Sequence, residues 1–319
     1  MNALKHPSPP AVTKRADAVV TICTFRKRAR PPVESTPASL PIDTQDAIQT
    51  AWIEKVRTLP ANVAAGEIYA GRGFSLAARA SAIASAKLYI LSAGLGLVAA
   101  DRKVPLYGLT VSAGHSDSIA ARVRGEFDPG AWFSGLQSSP LSDHWVDAVG
   151  RGSGRILIAL TRPYAQMVGE SLNALGPQTL ARLRIFGASL ASVLPPALHP
   201  ALAPYDARLE AILPGTRSDF SQRALHHFVG LVAGGSGQEA RDADYAAVTR
   251  ALAKVAAPER PARPRRTDEE LLELIAARLQ SQLGVARILR ALRDEEGVAC
   301  EQSRFSRLYQ IAIRKREAA

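Results

Sequence analysis

Cysteine and long apolar runs are both scarce in this sequence. Its 319 residues contain two cysteines, Cys23 and Cys300, which are too few for a disulfide framework or for a zinc site built from four thiolates. No run of about 18 apolar residues occurs, and the Pro-rich N-terminal segment has no apolar core of the signal-peptide kind. These absences predict a protein of the reducing cytoplasm that makes no contact with a membrane.

The signature motifs of several enzyme classes are missing as well. The sequence contains neither the G-x-G-x-x-G fingerprint of dinucleotide-binding folds nor the G-x-x-x-x-G-K-[ST] loop of nucleoside triphosphatases. It also lacks H-x-E, H-E-x-x-H and C-x-x-C, which are common arrangements of zinc ligands. We therefore expect no bound metal, and the sequence indicates no particular cofactor.

Positive charge, by contrast, is abundant. The sequence has 40 Lys and Arg residues against 29 Asp and Glu residues, a formal net charge of +11 at neutral pH. A chain this basic attracts polyanions such as nucleic acid. Its length predicts two domains, at about 150 residues per domain.

Short apolar segments alternate with helical patterns through most of the chain. Residues 1–16 combine Pro, Ser and Lys and are predicted to form a disordered basic tail. The segments typical of strands buried in a parallel sheet are Ala18–Cys23, Lys87–Ser92, Arg155–Leu160 and Arg182–Phe186. Apolar residues at helical spacing predict helices over Thr44–Val56, Ser75–Ala86 and Pro163–Ala174. The alternation predicts an α/β domain over residues 17–235, with a mostly parallel sheet flanked by helices.

The pattern changes after the glycine-rich segment Gly234–Gly237. Residues 236–266 are predicted to hold one helix and then a Pro- and Arg-rich linker, because the prolines prevent the helix from continuing. From Thr267 onward, three amphipathic segments predict a small all-α domain of helix-turn-helix type over residues 267–319.

A basic loop follows the first predicted strand. Arg26, Lys27, Arg28 and Arg30 lie just past its C-terminal end, which is the edge where open α/β sheets bind their ligands. Arg and Lys side chains at that edge are suited to hold a phosphate. The competing interpretation is a solvated surface loop. The sequence alone favours neither the phosphate-binding loop nor the surface loop.

A glycine-rich turn follows the second predicted strand. Gly94 and Gly96 come soon after Ser92, and Thr110 offers a second hydroxyl further on. Glycines let a backbone approach a ligand closely, although the spacing by itself favours a structural turn over a ligand loop.

Together these segments resemble the YaaA-like proteins. The resemblance is carried by Cys23–Lys27, Ala64–Tyr69, Leu91–Val98 and Pro105–Thr110, which agree with that family in order and spacing. It covers about residues 18–112 and departs from the family at Gly108, where those proteins often carry Asp or Arg. Similar proteins include a peroxide-stress DNA-binding protein, members associated with 7-deazaguanine modification of DNA, and domains encoded near phage-defence genes. The resemblance therefore implies a YaaA-like α/β domain whose ligand is a nucleic acid or a nucleobase.

Polar residues concentrate in the segment Pro214–Phe228. Thr216 is suited to cap a helix that begins near Asp219, and a helix N-terminus flanked by Thr216 and Arg217 is suited to bind an anion.

Along this predicted helix, Asp219, Gln222, Arg223 and His226 recur on one face. Such a face is more often solvated, with internal ion pairs. Its density of polar groups nevertheless makes it the best candidate for reaction chemistry. Asp219 and His226 are the predicted catalytic acid and base, and Arg217 and Arg223 the predicted phosphate ligands. The pairs His115–Asp117 and Asp143–His144 are too common in sequences to indicate a triad or a metal site.

The C-terminal domain has the spacing of a helix-turn-helix module. Its last helix is expected to present polar and Arg side chains outward, which suits base edges and phosphates, and the arginines of the linker can track phosphates. The predicted DNA-binding residues are Arg265, Arg266, Gln302, Ser303, Arg304 and Arg307. The competing interpretation is a three-helix interaction domain whose arginines only solvate its surface.

The sequence thus predicts a nucleic-acid-binding protein whose α/β domain binds a nucleobase or nucleotide, in DNA modification or phage defence. DNA and other defence or modification proteins are the expected partners. The predicted nucleotide-binding residues are Cys23, Arg26, Lys27, Ser92, Gly94, Gly96, Tyr107, Thr216, Arg217 and Arg223. In an enzyme, the base is expected to lie between Leu91–Gly96 and Tyr107. Two alternatives remain: a non-catalytic DNA-recognition or scaffold subunit of a larger defence complex, and a small-nucleotide sensor.

Overall fold

The computed structural model describes residues 16–112, 114–233, 240–258, 264, 266–279 and 284–317. Of the predicted basic tail only Ala16 falls within these residues. The chain divides into two compact units, Met1–Ala257 and Pro258–Ala319.

A five-stranded sheet forms the centre of the first unit. Its strands are β1 (Ala16–Ile22), β3 (Lys87–Ser92), β4 (Gly96–Ala99), β6 (Arg155–Ala159) and β7 (Leu183–Phe186). A separate antiparallel pair consists of β2 (Val63–Ala64) and β5 (Lys103–Val104). The order in the sheet is β4-β3-β1-β6-β7. β1 lies parallel to β3 on one side and to β6 on the other, with Val20 opposite Tyr89 and Ile158. β7 continues parallel beside β6, while β4 turns back antiparallel to β3. The predicted α/β fold with a mostly parallel sheet is confirmed.

Helices connect these strands and continue after the last of them. They are α1 (Gln45–Thr58), α2 (Ala65–Ile68), α3 (Arg72–Ala84), α4 (Pro129–Gln137), α5 (Arg162–Asn173), α6 (Pro177–Arg182), α7 (Leu209–Ile212), α8 (Phe220–Leu231) and α9 (Arg241–Leu252). Local sequence explains several starts. Thr44 caps α1 by accepting a hydrogen bond from the Ala47 amide, and Asp128 caps α4 through the amides of Gly130 and Ala131.

Alternate residues of the central strands enter two separate hydrophobic clusters. In β6, Ile156 and Ile158 belong to one cluster, while Leu157 and Ala159 belong to the other. The first cluster includes side chains of α1, α4 and α5, and the second includes side chains of α3, α8 and α9. The sheet is therefore covered by helices on both faces, which explains why its parallel strands are apolar almost throughout.

Helix α9 is held to the sheet by a buried ion cluster. Asp244 accepts hydrogen bonds from Arg155 Nε at 2.9 Å and from Arg184 Nε at 2.7 Å, and all three side chains are almost fully buried. Val248 and Leu252 complete the contact in the second cluster. The sequence places residues 236–266 after the α/β domain. The helix within that range instead packs as part of the domain, because its Asp244 pairs with arginines at the starts of β6 and β7.

The second unit consists, among the described residues, of α10 (Asp268–Leu279), α11 (Val285–Asp294) and α12 (Gln302–Glu317). Leu271, Ile275, Ile288 and Phe305 are buried in its own hydrophobic cluster. At its start, the Glu270 amide donates to Thr267 Oγ1 at 3.2 Å and the Thr267 amide donates to Glu270 Oε2 at 2.8 Å. This reciprocal pair is a capping box, which fixes the start of α10.

Within the part of the chain that the structure describes, no helix has both the length and the apolar character needed to cross a bilayer.

Candidate functional site

The sheet changes its direction of growth at β1. From β1 the chain moves to β3 on one side and later to β6 on the other. In open parallel sheets, a crevice forms where the carboxyl ends of two such strands diverge, and ligands bind in it. Here that point follows Ile22 of β1 and Ala159 of β6.

A pocket with a volume of about 510 Å³ lies at this point, and we call it the switch pocket. Five segments of the first unit line it: Ile22–Arg26 after β1, Ala70–Gly73 at the start of α3, the residues Leu109, Thr110, Ser112 and His115, the residues Thr161 and Tyr164 at the start of α5, and the residues Thr216, Ser218, Asp219 and Gln222 at the start of α8. This volume is typical of pockets that hold a small organic ligand.

The basic loop after β1 is fixed in place by its neighbours. The Cys23 amide donates to Leu91 O at 2.8 Å, which extends the pairing with β3 beyond the end of β1. Thr24 Oγ1 donates to Ala70 O, and the Ala70 amide donates in turn to Arg26 O at 2.9 Å. The loop therefore presents the exposed Arg26 at the pocket from an ordered backbone.

Two helices begin at the pocket without a side-chain cap. α3 starts after Gly71 and α5 after Thr161, and neither of these residues accepts a capping hydrogen bond through its side chain. The first-turn amides of a helix have no partner within the helix, and the helix dipole adds partial positive charge there. Arg72, at the first position of α3, adds a full positive charge and also lines the pocket. This end of the pocket is suited to bind an anion.

A thiol and a phenol lie among the lining groups. Cys23 Sγ and Tyr164 Oη are 2.8 Å apart, and both side chains are buried. Burial and the neighbouring Cys23 raise the pKa of Tyr164 well above its usual value. Tyr164 therefore keeps its phenolic proton at neutral pH, and either this hydroxyl or the Cys23 thiol donates the hydrogen bond between them.

Asp219 is the one carboxylate that the described lining of the pocket contains. Its Oδ1 accepts hydrogen bonds from Arg223 Nε at 2.8 Å and from the Thr216 amide at 2.9 Å. Its Oδ2 lies 4.0 Å from Arg72 Nη1. Arg223 is shared between Asp219 and Glu210, and Arg72 lies on the other side of Asp219, so an anion bound at Arg72 would share that arginine with this carboxylate.

The switch pocket brings together four of the predicted site residues, Cys23, Arg26, Thr216 and Asp219. Their segments are far apart in the sequence. Two other predicted residues are not in its lining: Arg217 is exposed, and His226 is half-buried further along α8. Burial and the charge of Arg79 lower the pKa of His226. His226 is therefore not placed to exchange a proton with a ligand in this pocket.

The glycine-rich turn does not form the expected base pocket. Trp52 Nε1 donates to Gly94 O at 2.7 Å, and a Cβ atom at Gly94 would lie 2.7 Å from the Tyr107 ring. Gly96 has a φ of +83° and begins β4. The hypothesis of a nucleobase between Leu91–Gly96 and Tyr107 is wrong, because aromatic side chains fill that space.

Ser92 and Tyr107 are likewise interior residues. Ser92 Oγ accepts the Leu95 amide at 2.8 Å, which closes the turn, and it is hydrogen-bonded to Tyr107 Oη. Tyr107 Oη also lies 2.7 Å from Tyr69 Oη. The ammonium group of Lys27 lies 5.6 Å from the centre of the Tyr107 ring and 6.0 Å from that of Tyr69. These three predicted nucleotide ligands, Ser92, Tyr107 and Lys27, are engaged with the protein itself and are not in the pocket lining.

Arg223 is also a structural residue. Its side chain is fully buried, and its guanidinium donates to Asp219, Glu210, Leu213 O and Thr216 O. With its donors used in this way, it holds the segment before α8 in place instead of binding a phosphate.

In the second unit, several predicted DNA-binding residues are paired with acids. Asp268 accepts Arg304 Nε and Arg307 Nη2, each at 2.7 Å, and Arg266 pairs with Glu270 at 2.9 Å. Gln302 is exposed. Arg265 and the side chain of Ser303 lie outside the described residues.

Sequence reasoning missed several residues of the pocket. They are Phe25, Arg72, His115, Thr161 and Tyr164. Thr161 and Tyr164 follow the strand predicted at Arg155–Leu160, so the rule that ligands bind at the carboxyl ends of parallel strands would have found them. His115 had no such signal, because only the folded chain brings its loop to this edge. No group of three or more His, Cys, Asp or Glu side chains within the described ranges is arranged to hold a metal ion.

The fold and the pocket define an open, mostly parallel α/β protein with a pocket at its topological switch point. Comparison with known proteins returned no matching family model, no matching curated protein and no matching solved structure.

Proposed function

We propose that the first unit binds a nucleotide in the switch pocket, with the phosphate at the starts of α3 and α5. The observation that carries this proposal is the convergence of two uncapped helix N-termini with Arg26 and Arg72 on one pocket of about 510 Å³. Backbone amides at a helix start together with guanidinium groups are the groups that proteins commonly use to bind phosphate.

The pocket also favours ligand binding over a purely structural role for this unit. A scaffold needs no cavity at the strand ends, and this cavity is lined by guanidinium, hydroxyl and carboxylate groups as well as by apolar ones. The mixed lining is consistent with either an enzyme or a nucleotide sensor. If the site is catalytic, the groups placed to act on a ligand are Asp219, Tyr164 and Cys23, since all three line the pocket.

Arg72 provides the sharpest test, because its side chain is half exposed and its loss does not disturb the core. In calorimetric titrations of the full chain with nucleoside 5′-monophosphates, we expect Arg72→Ala to raise Kd about 10- to 100-fold, the value of a charge-assisted hydrogen bond. Arg79→Ala is the matched control, because Arg79 is an exposed arginine of the same helix outside the pocket lining. Equal effects of the two substitutions, or no binding to the unsubstituted chain, would refute the proposal.

For the second unit we propose DNA binding through α12. The supporting observation is the arrangement of this helix: Phe305 and Leu308 are buried, while Gln302, Arg307 and Gln310 are exposed. A role in DNA modification or phage defence remains a prediction of the resemblance to YaaA-like proteins.

Asp268 makes the DNA proposal testable, because this carboxylate holds both Arg304 and Arg307. We expect Asp268→Asn to tighten duplex DNA binding and to steepen its salt dependence, since it leaves two arginines for phosphates. Glu269→Gln makes the same change of charge on the exposed neighbouring residue and should have a smaller effect. Fluorescence anisotropy at several salt concentrations measures the DNA affinity and its salt dependence for each protein. Absence of DNA binding in all three proteins would leave a protein-interaction role for the unit.

A further inference from the structure

An exposed aromatic residue stands at the switch pocket. Phe25 has 58% of its surface exposed, in a loop where the other side chains are mostly charged. Of the large apolar side chains that the structure describes as exposed, Phe25 is the one that lines this pocket. Single exposed apolar residues are ordinary on protein surfaces, so the informative feature is that Phe25 lines a pocket together with charged and hydroxyl side chains.

A second ring from a distant part of the chain contacts Phe25. The rings of Phe25 and His115 have their centres 4.3 Å apart and are inclined at 47°. His115 also lines the pocket and is exposed. The two rings are therefore close enough to form one aromatic surface.

Both rings are carried by backbone that is hydrogen-bonded to its surroundings. On the Phe25 side, Thr24 Oγ1 donates to Ala70 O at 3.0 Å. On the His115 side, the Thr110 amide donates to Asp117 O at 2.9 Å, and the Ser118 amide donates to His115 O at 3.0 Å. The aromatic surface is thus held in place before any ligand binds, which lowers the entropic cost of binding.

The anion-binding groups and the aromatic pair line the same pocket. Its volume of about 510 Å³ exceeds what a phosphate alone fills. Phe25 and His115 each offer the flat face of an aromatic ring, on which aromatic heterocycles stack. A sugar phosphate offers no flat face of this kind.

We propose that Phe25 and His115 form the surface on which the nucleobase of the ligand stacks, so that the ligand class is a nucleoside 5′-monophosphate and not a sugar phosphate. This inference rests on the proposed nucleotide-binding function. It also moves the base from the filled turn at Gly94 to the outer part of the pocket.

The test compares ligands that differ only in the base. Titration calorimetry of the full chain uses ribose 5-phosphate and the 5′-monophosphates of adenosine, guanosine, cytidine and uridine. We expect at least one nucleoside monophosphate to bind about 5- to 150-fold more tightly than ribose 5-phosphate, which is the range that base stacking on an aromatic side chain provides.

Substitution then assigns this gain to the two rings. Phe25→Ala is expected to remove most of the affinity advantage of the nucleoside monophosphate over ribose 5-phosphate and to leave the affinity for ribose 5-phosphate unchanged. Phe25→Trp is expected to retain this advantage. His115→Ala should reduce the advantage partially. Val33→Ala is the control, because Val33 is exposed to 62% and lies outside the pocket lining. Since Phe25 is mostly exposed, its replacement does not threaten folding.

The outcomes separate the inference from the function on which it rests. If ribose 5-phosphate binds and no nucleoside monophosphate binds more tightly, the anion site stands and the stacking surface is refuted. A Phe25→Ala chain that retains the full advantage of the base also refutes it. If none of the five compounds binds, the proposed function itself fails.

Discussion

Arg223 illustrates how a buried charge depends on its partners. Its guanidinium is fully buried and donates to the carboxylates of Glu210 and Asp219 and to two backbone carbonyls. A buried charge is tolerated only when its hydrogen-bonding groups are satisfied. The residue thus connects the segment before α8 to the helix itself and keeps Asp219 at the switch pocket.

The first prediction follows from this network. Arg223→Ala removes the buried cation that Glu210 and Asp219 share, and we expect it to lower the free energy of unfolding by about 3–5 kcal/mol. Arg217→Ala, which removes an exposed arginine nearby, should change stability by no more than about 0.5 kcal/mol. Urea denaturation of the two variants checks the contrast. Similar stabilities would show that Arg223 is not structural, and its role as a phosphate ligand would then return.

Two adjacent histidines of α8 predict a pH dependence of stability. Burial lowers the pKa of both His226 and His227, with additional contributions from Arg79 and from His226 respectively. Unfolded histidine titrates near pH 6.5. Below that pH the unfolded chain binds more protons than the folded chain, so stability is fully present above about pH 6.5 and falls as the pH drops toward the lower folded pKa values.

The measurement is the free energy of unfolding in urea between about pH 8 and pH 5.5, above the range where carboxylates titrate. We expect a decline below about pH 6.5 and a smaller decline in His226→Gln. His144→Gln replaces an exposed histidine and should leave the decline unchanged. A rise in stability over the same interval would contradict the depressed pKa values.

At the scale of elements, close packing determines which residues the turn between β3 and β4 can contain. Gly94 lies against Tyr107 and Trp52, and Trp52 and Trp132 donate hydrogen bonds to the carbonyls of Gly94 and Ala93. The turn thus ties the sheet to α1 and α4. The same glycines that suggest a ligand loop in the sequence serve here to let indole rings reach the backbone.

The third prediction separates these two roles. A methyl group at Gly94 would lie 2.7 Å from the Tyr107 ring and 3.0 Å from Trp52, so Gly94→Ala should destabilise the chain by about 1–3 kcal/mol through overpacking. Ligand affinity in the switch pocket should not change below the unfolding temperature. Gly230→Ala, where no atom lies within 4 Å of the added Cβ, should instead stabilise by about 0.4–1 kcal/mol.

Thermal unfolding and calorimetric titration of both variants decide the matter. A Gly94→Ala chain of normal stability but weakened ligand binding would restore the ligand-loop hypothesis.

At the scale of the whole molecule, the chain has two units with separate hydrophobic clusters. Only the first unit contains the switch pocket. A ligand that binds one folded unit stabilises that unit by mass action and has no such effect on the other.

The fourth prediction is that scanning calorimetry of the full chain shows two transitions, the larger one from the first unit, because unfolding enthalpy grows with the number of residues. A saturating nucleoside monophosphate should raise the midpoint temperature of the larger transition alone. At a free ligand concentration of a hundred times Kd, binding stabilises the first unit by about 2.7 kcal/mol. DNA should act on the smaller one. A single transition that shifts with either ligand would show that the units unfold together.

The sequence by itself determined the elements whose signal is local. Short apolar runs predicted β1, β3, β6 and β7, and apolar residues at helical spacing predicted α1, α3 and α5. Such features depend on residues within one or two turns of each other, so the order along the chain carries the information. It also placed Arg26 correctly at the edge of the sheet where the pocket lies.

Only the tertiary structure decided which polar residues are available to a ligand. Arg223, Tyr107 and Lys27 look like binding residues in sequence, yet each finds its partners inside the protein. Phe25 and His115, from separate loops, meet at the pocket instead. The physical reason is that a charge or hydroxyl is free to bind a ligand only when no other part of the chain satisfies it, and that partner is chosen by proximity in three dimensions.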